Sequence, residues 1–164
     1  PALYASLAQA EREYTFQFIG FASSISKGDA SLAWLESEEG RHRNVAAMLW
    51  LDFLGLRDVT AWTERSDPNL FQDFVSAAAA VGVETGGMRL VGAGSIHDQS
   101  RAFRWYEIPT IYLHSLDRSN RRILEDRRYD ADLSRLDLDA YYRTYRVLAA
   151  YLAYLDESLA ARGF

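Results

Sequence analysis

The side chains able to do chemistry are few. Histidine occurs only at His42, His97 and His114, and no two of them form the i, i+4 pair that lets one helix face grip a metal ion. Asp52 closes the apolar run AAMLWLD and so stands at the carboxyl end of a predicted strand, the end at which open α/β sheets place ligands. A half-buried carboxylate there needs a cation or hydrogen-bond donors, so Asp52 reads either as a metal ligand or as an acceptor of loop amides. His97-Asp98, just after the glycine loop VGAGS, reads as a catalytic pair or as a polar turn. The loop itself lacks the third glycine of a dinucleotide fingerprint and the lysine of a Walker loop. A hydrolase triad of Ser24, His97 and Asp52 can be assembled on paper, but the G-x-S-x-G elbow that would strain the serine into position is missing. His42, within GRHRN, reads as a solvated turn residue.

Positioning these groups requires alternating elements. Residues 2–11 carry a partial helical face in Leu3, Leu7, Ala8 and Ala10, and the alternation in YTFQFIGF predicts a strand over 14–21. A helix is expected over 29–38. The near-continuous apolar stretch NVAAMLWLDF (44–53) has the composition of a central strand covered on both faces. A short strand follows at 59–63, and Asp67-Pro68 supplies an N-cap and a first helical position for a helix that ends at Gly82. Further along, MRLVG and IPTIYL read as strands on either side of a helix near 101–106. Asp137 or Asp139 caps a final helix in which Tyr141, Tyr145, Leu148, Leu152, Leu155 and Leu159 recur at steps of four and three. This order predicts an α/β layered sandwich, its central sheet mostly parallel or mixed and flanked by helices.

Composition narrows the function classes. A chain of 164 residues, 49% hydrophobic, is long enough for one domain with a core. Its formal net charge of −5 is spread without a basic stripe, so nucleic acid is not an expected partner. No cysteine is present, which excludes disulfides, thiolate metal knots and cysteine nucleophiles. No apolar run reaches the ~20 residues of a spanning helix. The chain opens Pro-Ala-Leu, and residues are expected to precede it.

Four segments, YTFQFIGF, RNVAAMLWLDFLG, the glycine loop followed by Phe103 and EIPTIYLHS, and RLDLDAYYRTYRVLAAYLAYL, resemble in order and spacing the co-catalytic zinc aminopeptidase family. That family includes bacterial leucyl aminopeptidases, glutamate carboxypeptidase and glutaminyl cyclase, and non-catalytic kin such as nicastrin and the transferrin receptor ectodomain. The resemblance spans residues 1–164 as a single peptidase-like α/β domain, zinc-exopeptidase-like in fold, that matches the later part of the family's domain and lacks its amino-terminal part. It implies a glutamate general base and a zinc-binding acid after the first strand, where this chain has Ser24 and Ile25, preceded by Ser23. A hydroxyl does not take a proton from water at neutral pH as a carboxylate does, and isoleucine ligates nothing. The family's strand-end aspartate is matched by Asp52. Its last histidine falls nearest Arg127, and its Ser-Asp-His loop is matched by Ser95-Ile96-His97-Asp98 with a one-residue shift.

The resemblance therefore implies a catalytically degenerate relative that serves as a binding or structural module, with Asp52 as the surviving metal position and no cofactor expected. Ser23, His97, Asp98, Phe103 and His114 are the candidates for lining its cleft, with Trp62, Trp105 and Tyr106 as neighbouring aromatics. The alternative is a zinc-dependent aminopeptidase or related amide hydrolase whose upstream metal-binding part is not in this chain. Expected partners are a peptide or protein, and other copies of the chain through an exposed sheet edge. Family members are often exported, which favours an extracytoplasmic location.

Overall fold

A computed structural model of the chain describes residues 12–21, 30–37, 42–89, 99–117 and 136–163. The expected helix over 2–11, the glycine loop, and Ser23, Ser24, His97, Asp98 and Arg127 lie outside the described residues. Helix α1 (Ala30–Glu36) is followed by a 3-10 turn (His42–Asn44) and strand β1 (Met48–Asp52). Strand β2 (Thr60–Trp62) leads through a second 3-10 turn (Thr63–Arg65) into helix α2 (Pro68–Ala80) and the two-residue β3 (Gly87–Met88). Helix α3 (Arg101–Trp105), strand β4 (Thr110–His114) and the long helix α4 (Leu138–Arg162) complete the order.

The sheet is mixed, as expected, with strand order β1-β4-β2-β3. β1 runs parallel to β4, β2 antiparallel to β4, and β3 parallel to β2. Every residue of β4 is buried, whereas Leu51 of β1 is 40% exposed. The expectation of a central strand at 44–53 is thus corrected: among the described residues β1 is an edge strand and β4 holds the central place. Apolar continuity suggests burial on both faces and here overstates it: four of the five β1 residues are half-buried and Leu51 is exposed.

Residues 14–21 are not a strand. The amides of Glu13 and Tyr14 donate to the Asp156 carboxylate on α4, at 3.1 and 3.0 Å, in place of ladder bonds. The alternation in this segment comes from its lying over two surfaces: Tyr14 packs against the core beneath α4, and Phe21 stacks on Trp50 at 5.7 Å.

Both well-signalled helices form for local reasons. Asp67 caps α2 through the amides of Asn69 and Leu70, Pro68 takes a position whose N–H would be unused, and Gly82 adopts φ 70° just past the end. Asp137 caps α4 through Ala140, and Gly163 closes it at φ 71°. The buried face of α4 runs through Thr144, Val147, Leu148, Tyr151, Leu152, Leu155 and Leu159. Tyr141, placed on that face by its spacing, is instead 52% exposed, and the buried stripe begins with its neighbour Ala140.

Strand alternation divides the sheet into two faces. Leu49, Ile111, Leu113 and Ala61 point to α2 and α4, where Phe74 and Tyr151 meet edge to face at 5.6 Å. Trp50, Tyr112 and Trp62 line the opposite face, which α1 and α3 cover around Leu35, Phe103 and Ile108. The described part is therefore a helix–sheet–helix sandwich.

Candidate functional site at the strand ends

The in-register pairing of β1 with β4 sets Asp52 directly opposite His114, so both side chains leave the same sheet face at the carboxyl end of the parallel pair. Tyr112, two residues before His114, shares that face. Its hydroxyl donates to Asp52 Oδ2 at 2.9 Å, while the Phe53 amide donates to Oδ1 at 3.0 Å. Each carboxylate oxygen thereby accepts a hydrogen bond, one of them from a loop amide.

The turn after β1 is held in place. Phe53 has φ 48°, an uncommon conformation for a non-glycine residue, and Gly55 has φ 88°. A Cβ at Gly55 would run into the side chain of Leu136. The Gly55 amide donates to Ser115 Oγ at 3.3 Å, and its carbonyl accepts from Asp137 N at 2.9 Å. These bonds tie the Asp52 turn to the end of β4 and to the start of α4.

His114 is fully buried. Its Nδ1 accepts the Leu116 amide at 3.0 Å, so in the neutral ring the proton sits on Nε2, and that atom has no hydrogen-bond partner. Burial lowers the imidazole pKa to about 4, because the cation would be desolvated without a counter-charge. At neutral pH His114 is an uncharged ring whose one lone pair is already given to a backbone amide. It is neither a ready base nor a ready ligand.

Trp62 and Arg65 complete this cluster. The Arg65 guanidinium lies 3.7 Å from the Trp62 ring centroid and 5.9 Å from that of Tyr112, a cation–π arrangement. Ser66 donates to the Trp62 carbonyl at 2.8 Å and accepts the Tyr112 amide at 3.1 Å, linking the turn after β2 to β4.

A two-zinc centre needs several carboxylates and imidazoles converging on one spot. Among the described residues no group of three or more histidine and acidic side chains is placed to hold a metal ion. The donors at this end, an engaged Asp52 and a capped His114, do not fit such a centre. The structure brings together Asp52, His114 and Trp62. It separates Phe103, which is fully buried between α1 and α3 against Trp34 at 5.9 Å, and Trp105, which is 73% exposed. Sequence reasoning missed Tyr112, although its place two residues from His114 on a strand already implies a shared face. Arg65 carried no signal, since a lone arginine after a short strand fits almost any environment.

A cavity opens at the other end of the parallel pair. It is an open pocket of about 540 Å³, its described lining Leu35, Glu36, Ser37, His42, Arg43, Asn44 and Tyr106. His42 is half-buried and stacks on Tyr106 at 4.7 Å, so the expectation of a plainly solvated turn residue is corrected. The aromatic surface of Tyr106 is what shields it. The Tyr106 hydroxyl donates to Glu36 Oε1 at 3.1 Å, and the hydrogen bond to that carboxylate holds the phenol above its ordinary pKa.

The chain matches no protein-family model, and a search of curated proteins gives no match.

Proposed function

We propose that this chain is a catalytically degenerate zinc-aminopeptidase-like domain that acts as a binding or structural module, with a peptide or protein as its partner. The observation that carries the reading is Ser23-Ser24-Ile25-Ser26 at the positions where the resemblance calls for a base and a metal-binding acid. Two features of the strand ends support it. The Asp52 carboxylate is occupied by the Tyr112 hydroxyl and the Phe53 amide, and the acceptor nitrogen of His114 is occupied by Leu116. A hydrolytic site needs a carboxylate open to water and a cation to acidify that water.

The second reading, a zinc-dependent amide hydrolase completed by residues outside this chain, is favoured by the place of Asp52 at the carboxyl end of β1. Metal analysis and turnover separate the two. The purified chain is expected to carry no stoichiometric zinc and to leave leucine p-nitroanilide uncleaved when zinc is added. Tightly held zinc together with saturable, chelator-sensitive turnover would overturn the module reading. Association of copies through the sheet edge belongs to the same proposal, and a monodisperse monomer in light scattering at high concentration would remove it.

A further inference from the structure

The cavity beside His42 lies away from the strand-end cluster. His42–Asn44 precedes β1 and Tyr106 precedes β4, so the cavity sits at the amino ends of the parallel strands, while Asp52 and His114 sit at their carboxyl ends. Five residues at a rise of about 3.3 Å each separate the two. The lining combines opposite charges that do not meet. Glu36 and Arg43 both face the cavity, yet among the described residues no ion pair joins them to each other or to a third group. Glu36 spends Oε1 on the Tyr106 hydroxyl and retains Oε2 as an acceptor. Asn44 adds a carboxamide near Arg43, Leu35 contributes an apolar floor, and the stacked His42–Tyr106 pair forms a flat wall.

A cavity whose described lining includes an anion, a cation and an aromatic wall matches a ligand that carries both charges and an apolar group. We propose that this cavity binds a free amino acid with an aromatic or large apolar side chain, Glu36 taking the α-ammonium and Arg43 the α-carboxylate. A guanidinium offers paired donors to a carboxylate, and a carboxylate accepts from an ammonium with charge-assisted strength. The side chain then lies along the His42–Tyr106 wall, where ring contacts are favourable.

Calorimetric titration of the whole 164-residue chain tests this with three probes: L-phenylalanine, N-acetyl-L-phenylalanine and L-phenylalaninamide. Phenylalanine should bind saturably, and each blocked analogue, which lacks one charge, should bind about tenfold more weakly, the size expected for losing one charge-assisted hydrogen bond. Glu36→Gln should weaken phenylalanine about tenfold and leave N-acetylphenylalanine unchanged, and Arg43→Gln should likewise weaken phenylalanine about tenfold and leave phenylalaninamide unchanged. Absence of saturable binding by phenylalanine overturns the proposal, as does equal affinity for all three probes. The analogue comparison requires no substitution, so it decides even if a variant fails to fold. Zinc content and peptide turnover play no part in this readout, so it stands or falls separately from the reading of the strand ends.

Discussion

The sheet face beneath α2 and α4 and the face beneath α1 and α3 are built on opposite plans. On the first, Leu70, Phe74, Ala77, Ile111, Leu113, Val147 and Leu155 bury hydrocarbon against hydrocarbon, with two buried hydroxyls among them: Tyr151 donates to the Leu70 carbonyl at 3.0 Å, and Thr144 Oγ1 has no hydrogen-bond partner among the described residues. On the second, Asp52, Thr110 and His114 stand among Trp50, Trp62 and Tyr112. Polar groups in such surroundings are tolerated only when hydrogen-bonded. Most are, but His114 Nε2 is not. The first face is mainly hydrocarbon, whereas the second gathers polar groups at the strand ends and so depends more on hydrogen bonding.

The largest effect should come from the apolar face. Phe74 is fully buried and leans on Tyr151, so Phe74→Ala should lower unfolding free energy by about 3–5 kcal/mol, read by denaturant titration. A loss below about 1 kcal/mol would show that the two faces do not differ as described.

The next effect belongs to His114 and has a pH signature. Its folded pKa of about 4 lies below the ordinary histidine value of 6.5, so between these values the unfolded chain binds more protons than the folded one. Stability is therefore complete above pH 6.5 and falls as pH drops toward about 4, by ~3 kcal/mol in all. His114→Leu should remove this component of the pH dependence, which parallel denaturation curves at neutral and acid pH would register. An unchanged slope in the variant would assign acid sensitivity to other groups.

The smallest effect concerns the hydroxyl on Asp52. Tyr112→Phe keeps the ring against Trp62 at 5.3 Å but removes the donor to Oδ2, and should cost about 1–2 kcal/mol. In the double-mutant cycle with Asp52→Asn the two effects should be non-additive. Additive losses would mean that the pair is not coupled and that the polar face is less organised than its geometry indicates.

Elements whose signals are local were legible in the sequence. For α2, the cap, the proline at the first position and the glycine beyond the end occupy adjacent or nearby residues, and each acts within a turn or two of chain. The buried stripe of α4 was legible from its period, apart from Tyr141, which stands beside the stripe that Ala140 begins. The edge place of β1, the central place of β4 and the unpaired state of residues 14–21 were not legible, because strand order is set by contacts between segments tens of residues apart. For the candidate site, Asp52 could be singled out by its position after an apolar run. Its partner could not, since Tyr112 lies 60 residues away.

By itself the sequence determined most of the helices and strands, the ends of the two long helices and the scarcity of histidine and cysteine ligands, because these depend on residue types and short-range spacing. Only the tertiary structure decided that Asp52 meets a tyrosine hydroxyl, that His114 is buried with its lone pair given to a backbone amide, and that Glu36 and Arg43 face one cavity without pairing. Each of these rests on desolvation and on distances across strands, which no local pattern in a chain encodes.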